Sequence, residues 1–209
     1  MIVIIIIGEC SSKDREVRIT KEKKKENHER IVAIASRLFR ERGFDGVGVA
    51  DLMDHAGLTH GGFYNHFGSK EDLIAEATRK GFDETTERYV GHDAIAAIEL
   101  YISREHRNMR GQGCPAAALS CEAARQPEET RLAFGTGIEG LVRALEHNLR
   151  TQHAQSSSLR AQAISILAQA VGAIVLSRAC PDDSTLADEI LDACRADCRD
   201  AIEKQARAL

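Results

Sequence analysis

Apolar residues recur at intervals of three and four along most of this chain, and glycine, proline and serine clusters cut the pattern into helix-sized pieces. Between Lys21 and Arg42, Ile31, Ala35, Leu38 and Phe39 share one face with Ile34 alongside, and Gly43 ends the segment. Val49 to Ala56 places Val49, Leu52, Met53 and Ala56 at offsets of three, four and seven. Gly57 follows as a residue that turns the chain without side-chain cost, with Leu58 as an apolar anchor. A second short helix is expected from Thr59, a good N-cap, to about Phe67, its inner face formed by Phe63 and Phe67. Ser69-Lys-Glu-Asp72 reads as a capping-box-like start for a long helix running through Ile74 and Ala77 to Tyr89. Further helices are expected over 94–109, 116–125, 128–150, 158–179 and 184–206, with Arg110 to Pro115 as the clearest loop of this half.

Composition narrows this to an all-α fold. Three prolines, no tryptophan and abundant Ala, Leu, Arg and Glu favour helix over sheet in a chain of 209 residues. The net charge of −4 excludes a generic polyanion binder, but the charge is uneven. Residues 13–42 hold 11 Lys/Arg against 6 Asp/Glu, whereas residues 81–209 hold 14 against 19. Basic charge therefore collects just ahead of the two short helices, where Lys21 to Lys25 can approach a phosphate backbone.

Two helices joined by a tight glycine turn, the second exposing polar groups from its N-terminal end, form a helix-turn-helix. With Phe63 and Phe67 turned inward, Thr59, His60, Gly62, Asn65 and His66 face outward. His60, Gly62 and Asn65 are the candidates for reading bases, and Gly61-Gly62 lets the backbone come close to DNA. Tyr64 and His66 can donate hydrogen bonds to phosphates, and the Thr59 hydroxyl can serve a cap and a phosphate together. The glycine pair costs about 1 kcal/mol per residue in helix propensity relative to alanine, so packing of Phe63 and Phe67 has to compensate.

Residues 56–73, AGLTHGGFYNHFGSKEDL, resemble the signature of the TetR family of bacterial transcription regulators, whose pattern ends in Tyr-x-His-Phe-x-x-Lys-Glu-x-Leu. The ordered set Gly57, Gly61, Tyr64, His66, Phe67, Lys70, Glu71 and Leu73 carries the likeness, which is strong over residues 20–80. Val47 and Gly48 depart from the Thr or Ser common before the first helix of the motif. The resemblance implies phosphate contacts from Tyr64, His66 and Lys70, and a repressor released from its operator by a small-molecule effector. It divides the chain into a helix-turn-helix domain over 20–68 and a helical regulatory and dimerisation domain over 69–209, connected by helix 69–89. Relatives begin near a sequence similar to Arg18-Ile-Thr-Lys-Glu22, so residues 1–19 are expected to lie outside the native folded domain.

Small and apolar residues surround the segment 158–179, from Ile164 and Ile166 to Val175 and Leu176, which predicts burial on more than one side. A two-fold partner would supply the extra cover, giving a homodimer through 158–179 and 184–206 on a palindromic or near-palindromic site in double-stranded DNA. Phe82, Tyr89, Tyr101, Met109, Phe134 and Leu141 are candidate lining for an effector pocket in the body. No membrane span, cofactor or metal is expected. The opening run Met1 to Gly8 is too short to cross a bilayer, and the location is read as cytoplasmic. Six cysteines include Cys114 on the glycine-rich loop and the pair Cys194 and Cys198, four apart on one helix. They leave open a thiol-based redox-sensing regulator. A thiol-dependent enzyme built from Cys114, His106 and Glu122 is the remaining alternative, although no phosphate loop, metal-binding helix or nucleophile elbow is present.

Overall fold

A computed structural model describes the backbone of residues 12–89, 91–152 and 159–207, with side chains described over 20–89, 91–150 and 159–204. Nine α-helices and no strand occur among the described residues: α1 (Ser12–Arg42), α2 (Val49–His55), α3 (Lys70–Tyr89), α4 (Ala94–Tyr101), α5 (Arg104–Asn108), α6 (Pro115–Ala123), α7 (Glu128–Gln152), α8 (Leu159–Ala179) and α9 (Thr185–Arg207). Residues 1–11 fall outside this description. Helix α1 starts at Ser12, ahead of the Lys21 expected for it, since no glycine or proline interrupts the helix formers between Ser12 and Arg42.

Two other segments differ from the sequence expectation. The helix expected over 94–109 breaks at Ile102-Ser103, where the Ser103 hydroxyl accepts the amide of His106 at 3.1 Å and starts α5 afresh. The segment after α2 is a 3₁₀-helix, His60–Asn65, rather than an α-helix reaching Phe67. Two consecutive glycines carry no side chain to favour the wider helix, and six residues suffice to seat Phe63 and Phe67 in the core.

One continuous apolar core joins head and body. Ile31, Leu38 and Phe39 of α1, Leu52 and Met53 of α2, and Phe63, Phe67 and Leu73 close over each other in the head. The core runs on along α3 through Phe82 and Tyr89 to α7 and then α8. Three glycines mark close approaches of helices. A Cβ at Gly137 of α7 would lie 2.2 Å from the Phe82 ring, and one at Gly81 of α3 would lie 2.8 Å from Pro115 of α6. At Gly43, whose φ is +78°, a Cβ would meet the Glu122 carboxylate at 2.6 Å. Glu122 also accepts the Phe44 amide at 2.7 Å, so α6 of the body is docked on the turn that follows α1.

Polar clasps fix the same joints. Arg40 is buried in α1, donating to Ser36 O and Gly113 O at 3.0 Å and to Glu84 of α3 at 3.0 Å. Arg178 of α8 reaches back to the carbonyls of His106, Arg107 and Ala117. The segment from α5 to α6 is thus tied to α8 at both ends and to the head through Gly113 between them. On the body, α9 is held to α4 by the Arg199–Glu99 pair and by Arg195 donating to Ile102 O at 3.2 Å.

Candidate nucleic-acid interface

The turn between α2 and the 3₁₀-helix is set by Gly57. At φ +64° its amide donates to Asp54 O at 2.9 Å, while the Leu58 amide donates to Met53 O at 2.9 Å. These are the two bonds of a Schellman motif, which needs an unhindered left-handed residue at that position. Leu58 is half-buried as its apolar stop. The 3₁₀-helix is then pinned from below by Phe63 and Phe67, whose rings lie 5.3 Å apart.

Above that base the predicted contact residues divide into two groups. Thr59, His60, Gly61, Tyr64 and Asn65 are exposed, and Tyr64 shows 67% of its surface although it is aromatic. Thr59 occupies the N-cap position but its hydroxyl makes no cap bond, contrary to the expectation; only its carbonyl serves, accepting the Gly62 amide at 2.9 Å. The tight 3₁₀ turn satisfies that donor through the backbone and leaves Oγ1 open. Nothing lies within 4 Å of a Cβ placed on Gly61, so this glycine faces open space.

Gly62 and His66 are oriented differently from the outward face expected of them, and Lys70, for which the resemblance implies a phosphate contact, is bonded within the protein. A Cβ on Gly62 would lie 3.5 Å from Thr59 Oγ1 and 3.6 Å from Met53 Cε, pointing back at α2. The half-buried His66 turns toward α1, its ring 6.1 Å from that of His28 and its Nδ1 buried without a partner. Desolvation, then the neighbouring His28 and Lys24, lower its pKa. The Lys70 ammonium donates to Phe44 O at 2.7 Å in a half-buried position, fastening the start of α3 to the α1–α2 connection. Ser69 accepts the Asp72 amide at 3.1 Å, which caps α3. Sequence reasoning missed the contact of His28 with this site: it stacks on Phe67 with centroids 4.5 Å apart and pairs with Glu76 at 2.7 Å. A pairing 48 residues distant leaves no local signature.

The basic end of α1 is partly neutralised. Lys23 pairs with Glu26 at 2.9 Å and Lys25 with Glu29 at 3.7 Å, both exposed, and such pairs contribute little and are exchangeable for phosphate.

In the body, Tyr89, Tyr101 and Leu141 line one cavity with Thr86, Ile98 and Leu145, and it encloses about 40 Å³. Phe82 and Phe134 pack edge-to-face at 5.3 Å, and Phe82 borders a separate groove between α3 and α7. Met109 is exposed beyond α5. His106 is buried, with Nδ1–H donating to Tyr101 O at 2.7 Å and Nε2 accepting the Cys114 amide at 2.9 Å. This pairing fixes the neutral tautomer, and burial lowers its pKa to about 4. The lone pair that a nucleophilic Cys114 would need is therefore occupied by the backbone of Cys114, and Glu122 is engaged with Phe44. The Cys114 thiol is buried and its pKa is raised by desolvation; Cys198 is likewise buried and pushed up to about 12, with its thiol donating to Gln169 Oε1 at 3.2 Å. Cys194 is half-buried. Among the described residues no group of His, Cys, Asp and Glu could hold a metal ion.

With this geometry in view, the comparisons with known proteins agree at each level. The profile of bacterial regulatory proteins of the tetR family matches residues 31–77, and that of the LmrA/YxaF-like transcriptional regulator C-terminal domain matches residues 92–189. An uncharacterized HTH-type transcriptional regulator of Mycobacterium tuberculosis is 29% identical over 161 residues, covering 72% of this chain and 83% of the relative. The HTH-type transcriptional repressor KstR2 of Rhodococcus jostii is 33% identical over 81 residues, 36% of this chain and 40% of that one. Among solved structures, a TetR transcriptional regulator from Chloroflexus aurantiacus superposes with a TM-score of 0.72 at 25% identity, over 88% of this chain and 98% of that chain. The reduced form of NemR from Escherichia coli shares the fold with a TM-score of 0.70 at 23% identity, over 84% and 96%. The helix-turn-helix head, the all-helical body and both profile matches make this chain a member of the TetR family, a DNA-binding transcription regulator.

Proposed function

We propose that the protein is a homodimeric repressor that binds a palindromic or near-palindromic operator and is released by a small-molecule effector. The observation that carries the dimer is the uncovered face of α8. Ile164, Val175 and Leu176 are exposed there, Leu176 by 58%, and the exposed Ala161, Ala168 and Ala179 continue the stripe at helical spacing. Leu186 of α9 extends the stripe at 54% exposure. This helix is apolar and long enough to cross a bilayer by composition alone, but Gln162 and Gln169 bond across to α9 and Arg178 to backbone carbonyls on its inner side. An amphipathic seam between two copies in the cytoplasm accounts for both faces.

Each head then offers Thr59 and Tyr64 to phosphates, with His60 and Asn65 set to read bases and Gly61 allowing close approach. His66 and Lys70 contribute by holding the 3₁₀-helix and the start of α3 in place. Repression is supported by relatives that are transcriptional repressors, such as KstR2. The effector site is the cavity beneath Tyr89 and Tyr101. At about 40 Å³ it holds little more than one water, whereas small-molecule pockets span roughly 300–1,000 Å³. An effector therefore has to part α4 from α7, and α3, which lines the same cavity through Thr86 and Tyr89, carries the displacement to the head. Cys114 and the Cys194/Cys198 pair give less support to thiol sensing, because burial keeps Cys114 and Cys198 in the unreactive thiol form.

Analytical ultracentrifugation of the purified protein and of Leu176→Asp tests the dimer. The wild type should sediment as a dimer and the variant as a folded monomer with weakened operator binding. A monomeric wild type, or a variant that stays dimeric, would overturn the assignment of the α8 seam.

A further inference from the structure

Arg40 of the head is buried and Arg178 of the body is half-buried, and they are treated differently. Arg40 has the Glu84 carboxylate at 3.0 Å. Arg178 has three carbonyl partners, His106 O at 2.6 Å, Arg107 O at 3.0 Å and Ala117 O at 3.3 Å, and no carboxylate among the described residues. A half-buried guanidinium without a counter-ion is costly, and here a like charge makes it worse. Desolvation first and Arg110 second push the Arg178 pKa down. Arg110 is exposed and forms no ion pair among the described residues.

Arg110 and Arg178 line one polar cleft of about 460 Å³ between α5, the turn after it and the C-terminal end of α8, completed by Arg107, Asn108, Ser177 and Asp182. It shares no lining residue with the cavity beneath Tyr89 and Tyr101. Arg107 and Arg104 share a single carboxylate, Asp188, at 3.2 and 2.8 Å. Four arginines thus face two aspartates, Asp182 and Asp188, on a chain whose overall charge is −4. The Ser177 hydroxyl already donates to Ile174 O at 3.0 Å and Asn108 Oδ1 accepts Arg107 Nε, so the free donors of the cleft are guanidinium groups and the Asn108 amide, suited to a ligand that only accepts.

We propose that this cleft is a binding site for the phosphate dianion of a small molecule, a phosphate monoester, held by Arg110 and Arg178 with Arg107 at its edge. Planar guanidinium forks match the oxygens of phosphate, and a dianion neutralises both uncompensated arginines where a monocarboxylate neutralises one. The bound anion also lies at a joint. Arg178 grips both ends of the segment from α5 to α6, and Gly113 within that segment accepts Arg40 of the DNA-binding head at 3.0 Å.

Inorganic phosphate is the probe, titrated into the full chain without DNA while ionic strength is held constant with sodium chloride, with thermal unfolding and calorimetry as readouts. Wild type should show a saturable rise in Tm and saturable heat with phosphate and neither with acetate. Arg110→Ala removes an exposed side chain with no protein ion pair, so it should fold, melt slightly above wild type in phosphate-free buffer and bind phosphate at least tenfold more weakly. Arg125→Ala, another exposed arginine outside the cleft, should respond as wild type does. Equal titrations for wild type and Arg110→Ala, or phosphate indistinguishable from acetate, would overturn the proposal. With no DNA in the assay, its failure is separate from failure of the repressor reading.

Discussion

Replacing Gly61 by alanine separates what the recognition segment needs for folding from what it needs for DNA. Gly61 is exposed, its φ lies outside the left-handed region, and a Cβ there meets nothing within 4 Å. The protein alone should therefore accept the methyl group. Alanine reduces the backbone entropy lost on folding, which stabilises by about 0.5–1 kcal/mol and corresponds to a rise in Tm of roughly 1–4 °C for a chain of this length. DNA binding should respond in the opposite sense. If the backbone at Gly61 approaches the duplex closely, an added methyl is overpacked at about 1–3 kcal/mol, a loss in affinity of roughly 5- to 150-fold. Thermal unfolding without DNA, followed by fluorescence anisotropy on an operator fragment, measures both terms. A lower Tm would refute the open environment of Gly61, and unchanged affinity would refute its close approach to DNA.

Three further outcomes follow from the packing. Lys70→Ala removes the bond to Phe44 O and should lower stability by about 1–2 kcal/mol in thermal melts without DNA; an unchanged Tm would return Lys70 to a purely DNA-facing role. Gly137→Ala drives a methyl into the Phe82 ring and should cost about 1–3 kcal/mol in urea unfolding, where an unchanged midpoint would contradict the tight α3–α7 crossing. His106 titrates near 4 when folded and at about 6.5 when unfolded. The unfolded chain therefore binds more protons between those values, and stability should fall as pH drops from about 6.5 to 4, by up to roughly 3 kcal/mol in all. His106→Gln should flatten that part of the stability profile, and an unaltered slope would exclude His106 as its source.

Much of the fold was legible because its determinants are local. The offsets of Val49, Leu52, Met53 and Ala56 and the glycine at 57 give α2 and its turn, and Leu58 closes the motif as its position suggests. Helices α7, α8 and α9 begin and end within two residues of their expected limits, because Pro127 and Pro181 interrupt the helical pattern. The break at Ser103 was less legible, since the apolar pattern runs on across it while a serine cap restarts the helix. At the candidate DNA surface, the inward pair Phe63 and Phe67 follows from spacing. The turning of His66 toward His28, the Lys70 bond to Phe44 and the Arg40 bond to Gly113 do not, because each partner is distant in sequence and is selected by packing of the finished fold.

Sequence-specific regulation is tested by the binding of the purified protein to DNA flanking its own gene, measured by anisotropy at two salt concentrations with scrambled DNA of the same length alongside. Tight binding to one palindromic segment is expected, with two chains per site, weakening steeply as salt rises because phosphate contacts release counterions. Binding to that segment no tighter than to scrambled DNA would contradict it for an operator beside the gene, and no preferred sequence after selection from random duplexes would contradict sequence-specific regulation altogether.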